Sequence, residues 1–325
     1  MSAVTTNKKV LITGATGYVG QRLVLSMLEE NYTVYILTRK RESIFTKNKQ
    51  VTTIIGDIAD PIDLPGDIET IYHCAGVIRE PSEMEHVNII GTKNIVDLAL
   101  RYNCKLIYLS SAGIVGKTKE KILDERTSCN PQNAYEISKY KAEQIVLAGI
   151  NKGLKTHILR PSTIFGVKEH PEQDSFFQLL KSMRTGYYKN VGQGIYNIVH
   201  IDEVVSVLKL LDRTNAPFGE IYIISNAIAY NDLDILVKNI PPVVRKTTAN
   251  IPYPIAYGIS VILSLLCPMV GKKNPLTLSR VSALTNQQIY SQEKLLKETG
   301  FKNTLPVENH LRAVCKTYIE LGLLP

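Results

Sequence analysis

Metal-binding patterns of cysteine and histidine are missing from this chain. Its five cysteines (Cys74, Cys104, Cys129, Cys267 and Cys315) are odd in number and widely spread, with no C-x-x-C pair. That spacing excludes a disulfide framework and a structural zinc site and fits reduced thiols. The six histidines show no H-x-x-x-H spacing, so no metal is expected. The net charge is +8, but the lysines and arginines form no long basic run and are not interleaved with aromatics. This argues against a nucleic-acid partner and leaves phosphorylated small molecules as the natural counterpart of the basic balance. The opening residues MSAVTTNKK lack the apolar core of a secretory signal, so a cytoplasmic location is expected. No internal repeat or low-complexity tract is visible. With 44% hydrophobic and 21% charged residues over 325 positions, the composition excludes disorder. The chain is long enough for one large domain or two smaller ones.

What is present begins at Lys9–Gly20, KVLITGATGYVG. Val10, Leu11 and Ile12 are an unbroken β-favouring run, as in a strand buried on both faces. Gly14, Gly17 and Gly20 follow at three-residue spacing, and from Tyr18 onward the pattern turns helical. Strand, glycine turn and helix make a dinucleotide-binding corner. Gly14 allows the turn, Gly17 lets backbone approach a pyrophosphate, Gly20 lets helix and strand pack, and the N–H groups of the new helix meet the phosphates. Such a turn can also end a strand without binding anything.

Apolar runs at 33–37, 51–56, 70–76, 105–111 and 155–161 continue the alternation, with helix candidates at 83–102 and 133–151. The expectation is an α/β fold, a Rossmann-type doubly wound parallel sheet over residues 1–165. Past that point helical patterns at 174–185, 202–213, 231–240, 255–267, 276–286 and 306–321 dominate, with short strands near 187–191 and 220–225. Residues 166–325 therefore read as a smaller, mostly helical substrate lobe, with parts of 198–225 returning to the main sheet.

Tyr135 and Lys139, four apart, share one helical face. A free phenol with a pKa of about 10 is a poor acid or base at neutral pH, and a nearby ammonium favours its ionised form. Both residues are also common on solvated helices. Ser110 and Ser111 end the strand KLIYLSS; a serine there forms turns or holds a reacting oxygen. After the second strand, TVYIL, comes Thr38-Arg39-Lys40-Arg41. An NAD enzyme of this plan places a carboxylate there. Arg39 instead suits a 2′-phosphate, so NADP is expected over NAD. A solvated basic loop is the plainer alternative.

Together TGATGYVG, Gly56-Asp57, HCAG at 73–76, Asn88 in VNIIGTKNIV, LSSAGIVG at 109–116, YEISK, LRPSTIFG at 159–166 and VHIDEVV at 199–205 occur in order. The chain thereby resembles the extended short-chain dehydrogenase/reductase superfamily, in its epimerase/dehydratase-like branch, with weaker similarity in PLTLSRV and YSQEKLLKETGF. The resemblance implies that Ser111 orients the substrate oxygen, Tyr135 is the general acid/base, Lys139 binds the nicotinamide ribose and tunes Tyr135, and Asn88 belongs to the catalytic set. It also implies cofactor contacts from Thr13, Gly14, Thr16, Gly17, Tyr18, Val19, Gly20, Arg39, Asp57, Ile58, Ala75, Gly76, Pro161 and Thr163. A homodimer paired through two helices per subunit is the expectation from such relatives.

The departures from this pattern bear on substrate. Sugar-nucleotide members usually carry a tyrosine where this chain has Val115, and many carry an arginine where it has Ile195, Tyr196 and Asn197. Ala112-Gly113 replaces the Asp-Glu pair usual in dehydratases. Residues 251–270 carry no charge and are flanked by Arg245-Lys246 and Lys272-Lys273. Pro252, Pro254 and Pro268 confine a regular helix there to 255–267, too short for the roughly 20 residues of a span. The small residues Ala256, Ser260, Ser264 and Cys267 favour a helix packed over the substrate pocket; a helix on a membrane surface is the less favoured alternative. Similar segments occur in 3β-hydroxysteroid dehydrogenase-like relatives. The leading expectation is an NADP-dependent enzyme acting on a nucleotide-activated sugar, by 4-keto reduction or epimerisation. The alternatives are a reductase or dehydrogenase of an apolar alcohol or ketone of the 3β-hydroxysteroid or dihydroflavonol type, and a non-catalytic NADP-binding sensor or assembly factor.

Overall fold

Valine, isoleucine and leucine runs make the centre of the molecule. The computed structural model describes residues 8–40, 44–45, 47–269 and 277–325. Arg41, Lys272, Lys273 and most of MSAVTTNKK lie outside them. The strands β1 Lys9–Thr13, β2 Thr33–Thr38, β3 Val51–Ile55, β4 Thr70–His73, β5 Lys105–Leu109, β7 Thr156–Pro161 and β11 Ile221–Ile224 form one sheet. Their order is β11-β7-β5-β4-β1-β2-β3, and every pair is parallel. The order reverses at β1, which pairs with β2 on one side and β4 on the other. Its carboxyl end is therefore a switch point where ligands bind.

Both faces of the sheet are covered. On one, α1 Tyr18–Glu29 and α6 Ile201–Arg213 bury Leu23, Met27, Val204, Leu208 and Leu211 against Val10, Ile12 and Ile36. On the other, α3 Gly91–Arg101 and α4 Ala134–Ile150 bury Ile95, Val96, Ala142 and Val146 against Leu11, Ile71 and Leu106. α3 continues a helix begun by α2 Pro81–Met84 through a π-helical turn, Glu85–Ile90.

The remaining chain builds the lobe. α5 Ser175–Thr185, α7 Tyr230–Lys238 and α11 Val307–Glu320 share a cluster containing Phe176, Leu180, Leu233, Val237, Leu311 and Tyr318. They pack with a second sheet of β8 Thr163–Phe165, β10 Ile195–His200 and β12 Asn226–Ala229, in the order β12-β10-β8. Two-residue strands pair at distance: β6 Ile122–Leu123 with β14 Ile289–Tyr290, and β9 Lys189–Asn190 with β13 Ala249–Asn250. α9 Leu278–Thr285 and α10 Glu293–Thr299 complete the chain. Both passages from the main sheet into the second are short, Ser162 alone separating β7 from β8 and Ser225 alone separating β11 from β12, while the return from β10 to β11 runs through α6.

One element differs from expectation. α8 runs Tyr253–Met269, beyond the bounds read from the prolines, because Pro254 falls in the first turn, where no N–H is required. Among its described side chains only Ala256, Ser260 and Cys267 are buried, with α9 as the helix packed alongside. Ser264, expected in the same small stripe, is exposed, as are Ile255, Ile262, Leu265 and Leu266. The helix is not buried over the pocket. Among the described residues, no helix is long and apolar enough to cross a membrane.

Candidate active site

At the end of β1 the glycines serve the close approach read from the sequence. Gly14 adopts φ +68°, and a Cβ there would lie 2.6 Å from the Ala75 nitrogen. A Cβ on Gly20 would lie 2.1 Å from the Gly14 oxygen, so this side of α1 must be bare. α1 has Gly17 at its N-cap, no side-chain cap and no acid in its first turn. Its free N–H groups open into a cleft of about 810 Å³ lined there by Gly17, Tyr18, Val19 and Gly20. An uncapped helix start facing a cavity fits a pyrophosphate. Thr13 stays in the core, its Oγ1 2.7 Å from His73 Nδ1. Thr16 is exposed.

The cleft continues along the sheet edge past Ala75, Gly76, Pro161 and Thr163 to Ser111, Tyr135 and Lys139. Ser111 caps the turn after β5, its Oγ accepting from Gly113 N at 3.2 Å. Tyr135 lies in the first turn of α4, started by Asn133, whose side chain accepts from Glu136 N. One turn on, Lys139 is buried; its Nζ donates to the Leu109 carbonyl at 2.6 Å and sits 4.4 Å from the Tyr108 ring centroid. Burial lowers its pKa to about 8, against the opposing pull of Glu143. Burial raises the Tyr135 pKa, and a hydrogen bond from Ser111 works against that rise. The lowering of Tyr135 by Lys139 expected from their spacing is therefore not found. The ammonium is turned to the Leu109 carbonyl, and desolvation dominates the phenol.

Asn88 is buried outside the cleft lining. Its Oδ1 accepts from Val77 N at 2.8 Å, while Nδ2 donates to Val77 O and to Ser138 Oγ. It thus ties the loop after Gly76 to α4 between Tyr135 and Lys139. Asp57 and Ile58 also lie off the cleft lining. Asp57 accepts from Ala59 N, and Ile58 packs against Gly91. The Arg39 guanidinium, on a largely exposed side chain, lies 3.8 Å from Asp57.

Several contributors escaped the sequence reading. Glu143, fully buried one turn beyond Lys139, accepts from Ser110 Oγ at 2.6 Å and forms an ion pair with Arg160. The i, i+4 spacing from Lys139 was its available signal. The far end of the cleft holds Ile78, Arg79, Lys168, Ile195, Tyr196, Asn197, Tyr230, Ala283, Asn286 and Tyr290. Of these, Ile195, Tyr196 and Asn197 are the positions singled out above as departures bearing on substrate, and Tyr290 opens the YSQEKLLKETGF segment; the others converge from distant segments without a local motif. Tyr196 and Tyr230 stack at 5.2 Å. Arg79 bonds Gln173, and Lys168 pairs with Asp174.

A dinucleotide corner, a Ser-Tyr-Lys cluster and a substrate-sized cavity on one sheet edge are the arrangement of a hydride-transfer enzyme. The family model of the NAD dependent epimerase/dehydratase family matches residues 10–225. The chain belongs to that family. It is an NAD(P)-dependent enzyme of the extended short-chain dehydrogenase/reductase type. Among its relatives, an N-acetyl-alpha-D-glucosaminyl-diphospho-ditrans,octacis-undecaprenol 4-epimerase of Escherichia coli O157:H7 is 26% identical, over 85% of each chain. A sterol-4-alpha-carboxylate 3-dehydrogenase, decarboxylating, of Mus musculus is 24% identical over 97% of this chain and 92% of its own length. The fold is shared with UDP-glucose 4-epimerase of Thermotoga maritima, with a TM-score of 0.72 at 19% identity over 96% of this chain and 99% of that one.

Proposed function

We propose that this enzyme interconverts a secondary alcohol and a ketone, using NADP, on a substrate with a largely apolar body. The observation that carries the substrate class is the far end of the cleft. Tyr196, Tyr230, Tyr290, Ile78 and Ile195 line it, and of its two cations Lys168 is neutralised by Asp174, which leaves Arg79, bonded to the neutral Gln173, as the single uncompensated charge. A diphosphate would need cations free to meet it. The full-length similarity to a sterol dehydrogenase supports this reading. A sugar carried on a diphosphate is the second reading. It is favoured by the relative that epimerises such a sugar and by Asn197 and Asn286 in the lining.

Gly17 and the first turn of α1 would hold the pyrophosphate, and Arg39, with no carboxylate at its position, the 2′-phosphate. The bound nicotinamide supplies or accepts the hydride. Ser111 Oγ holds the substrate oxygen. Tyr135 Oη gives that oxygen a proton in reduction and takes one in oxidation. A phenol kept protonated by burial is ready to act as the acid. Lys139 places positive charge beneath the site and would bind the nicotinamide ribose.

The test is a substrate panel of sterol ketones, 3-oxoacyl compounds and nucleotide 4-ketosugars with NADPH or NADH. Turnover of the apolar ketones with NADPH is expected. Tyr135→Phe should reduce it by about 10²–10⁴ while folding and cofactor binding survive. Arg39→Ala should weaken NADPH about ten- to a hundredfold and leave NADH unchanged. Full activity in Tyr135→Phe would remove the proton-transfer role, equal wild-type affinity for both cofactors the NADP assignment, and turnover confined to nucleotide sugars the substrate class.

A further inference from the structure

α8 turns most of its circumference to solvent. Ile255, Ile259, Ile262 and Leu266 form one exposed row, and Tyr257, Val261 and Leu265 a second, with Leu265 at 68% exposure. These rows follow helical spacing on the side away from Ala256, Ser260 and Cys267. A contiguous apolar face of this kind marks an interaction surface.

The exposed charge on the adjoining segments is of one sign. Between Asp234 and Glu293 the sequence contains no aspartate or glutamate, and between Asp174 and Asp202 again none. The two stretches are joined where Lys189 pairs with Ala249, at β9 and β13 just ahead of α8. Lys181, Lys189, Arg245 and Lys246 are exposed on these stretches, and Tyr187 is 82% exposed beside them. An apolar helix bordered by exposed lysine, arginine and tyrosine, with the neighbouring Asp234 carboxylate buried and paired to Lys238, is complementary to lipid headgroups of negative charge. A second copy of the same face would set cation against cation.

We propose that α8 lies flat in the headgroup layer of an anionic phospholipid bilayer and docks the enzyme there. Its 17 residues make a rod of about 25 Å, suited to the plane of the surface. The proposal does not rest on the substrate class.

The test is flotation of the full chain with vesicles of phosphatidylcholine alone or with phosphatidylglycerol added. Binding to the anionic vesicles is expected, weakening as salt is raised. Ile262→Glu and Leu265→Glu, at exposed positions that the fold tolerates, should each lower it at least tenfold. Arg245→Gln with Lys189→Gln should weaken it by about fivefold per cation lost. The chain contains no tryptophan, so Leu265→Trp gives a single fluorophore whose emission should shift to the blue on the anionic vesicles. Three results would overturn the proposal: no flotation with anionic vesicles, flotation unchanged by Leu265→Glu, or a wild-type dimer that Leu265→Glu disperses without any vesicle binding.

Discussion

Lys139 shows at the residue scale how burial sets chemistry. Its ammonium is held by the Leu109 carbonyl and the face of Tyr108, and desolvation brings its pKa down to about 8. The charge is present below that pH and lost as pH rises through it. Affinity for the anionic cofactor should therefore fall above about pH 8 in the wild type. In Lys139→Met it should be weaker throughout and flat over the same range. Fluorescence titration of NADPH from pH 6.5 to 9.5 checks this; a wild-type affinity that does not change between pH 7 and 9 would contradict it. The Tyr-Lys pair itself was legible, because spacing on a helix needs no tertiary information. The raised phenol pKa was not, since it depends on what the fold packs around Tyr135.

Among the elements, α4 joins chemistry to stability. It carries Tyr135 and Lys139 toward the cleft and Glu143 into the core, where Glu143 holds Ser110 at the end of β5 and Arg160 in β7. Glu143→Ala would leave the Arg160 guanidinium buried without its partner. A loss of about 3–5 kcal/mol is expected, measured by urea unfolding. Glu143→Gln, which keeps the shape and an acceptor, should lose less. Helices with a clear apolar face, such as α6 and α11, were read close to their observed bounds. α10, with seven residues and one buried side chain, Leu295, was missed because so short a segment carries little periodicity. β8, β10 and β12 were missed too, since their burial comes from the lobe sheet they jointly build. α8 was read as a helix, but its surroundings were not. A charge-free segment looks the same whether it faces protein or solvent.

The whole molecule responds to acid through three buried histidines. Burial lowers the pKa of His73 to about 3 and those of His157 and His200 to about 4, from an ordinary 6.5. The unfolded chain takes up these protons as pH falls through 6.5, and the folded one does not until about pH 4 at His157 and His200 and about pH 3 at His73. Stability is therefore lost from about pH 6.5 downward, on the order of 1 kcal/mol per histidine per pH unit. Urea midpoints between pH 7 and 5 should fall accordingly. His157 packs between Phe218 and Tyr222 with neither ring nitrogen hydrogen-bonded, so His157→Phe should make that fall shallower. The parallel sheet was legible from its strand runs, and the cofactor corner from its glycines. At the far end of the cleft only Ile195, Tyr196 and Asn197 were legible, as departures from the family pattern, because Ile78, Tyr230 and Tyr290 join them only after the lobe has assembled. The lobe's attachment has a mechanical consequence. The chain leaves the main sheet for the second at Ser162 and again at Ser225, and Ser162 N bonds the Ile224 carbonyl beside that second exit. Two single-residue joints fastened side by side leave no slack for a swinging hinge, so substrates of different size must be met by side-chain rearrangement and not by a closing jaw.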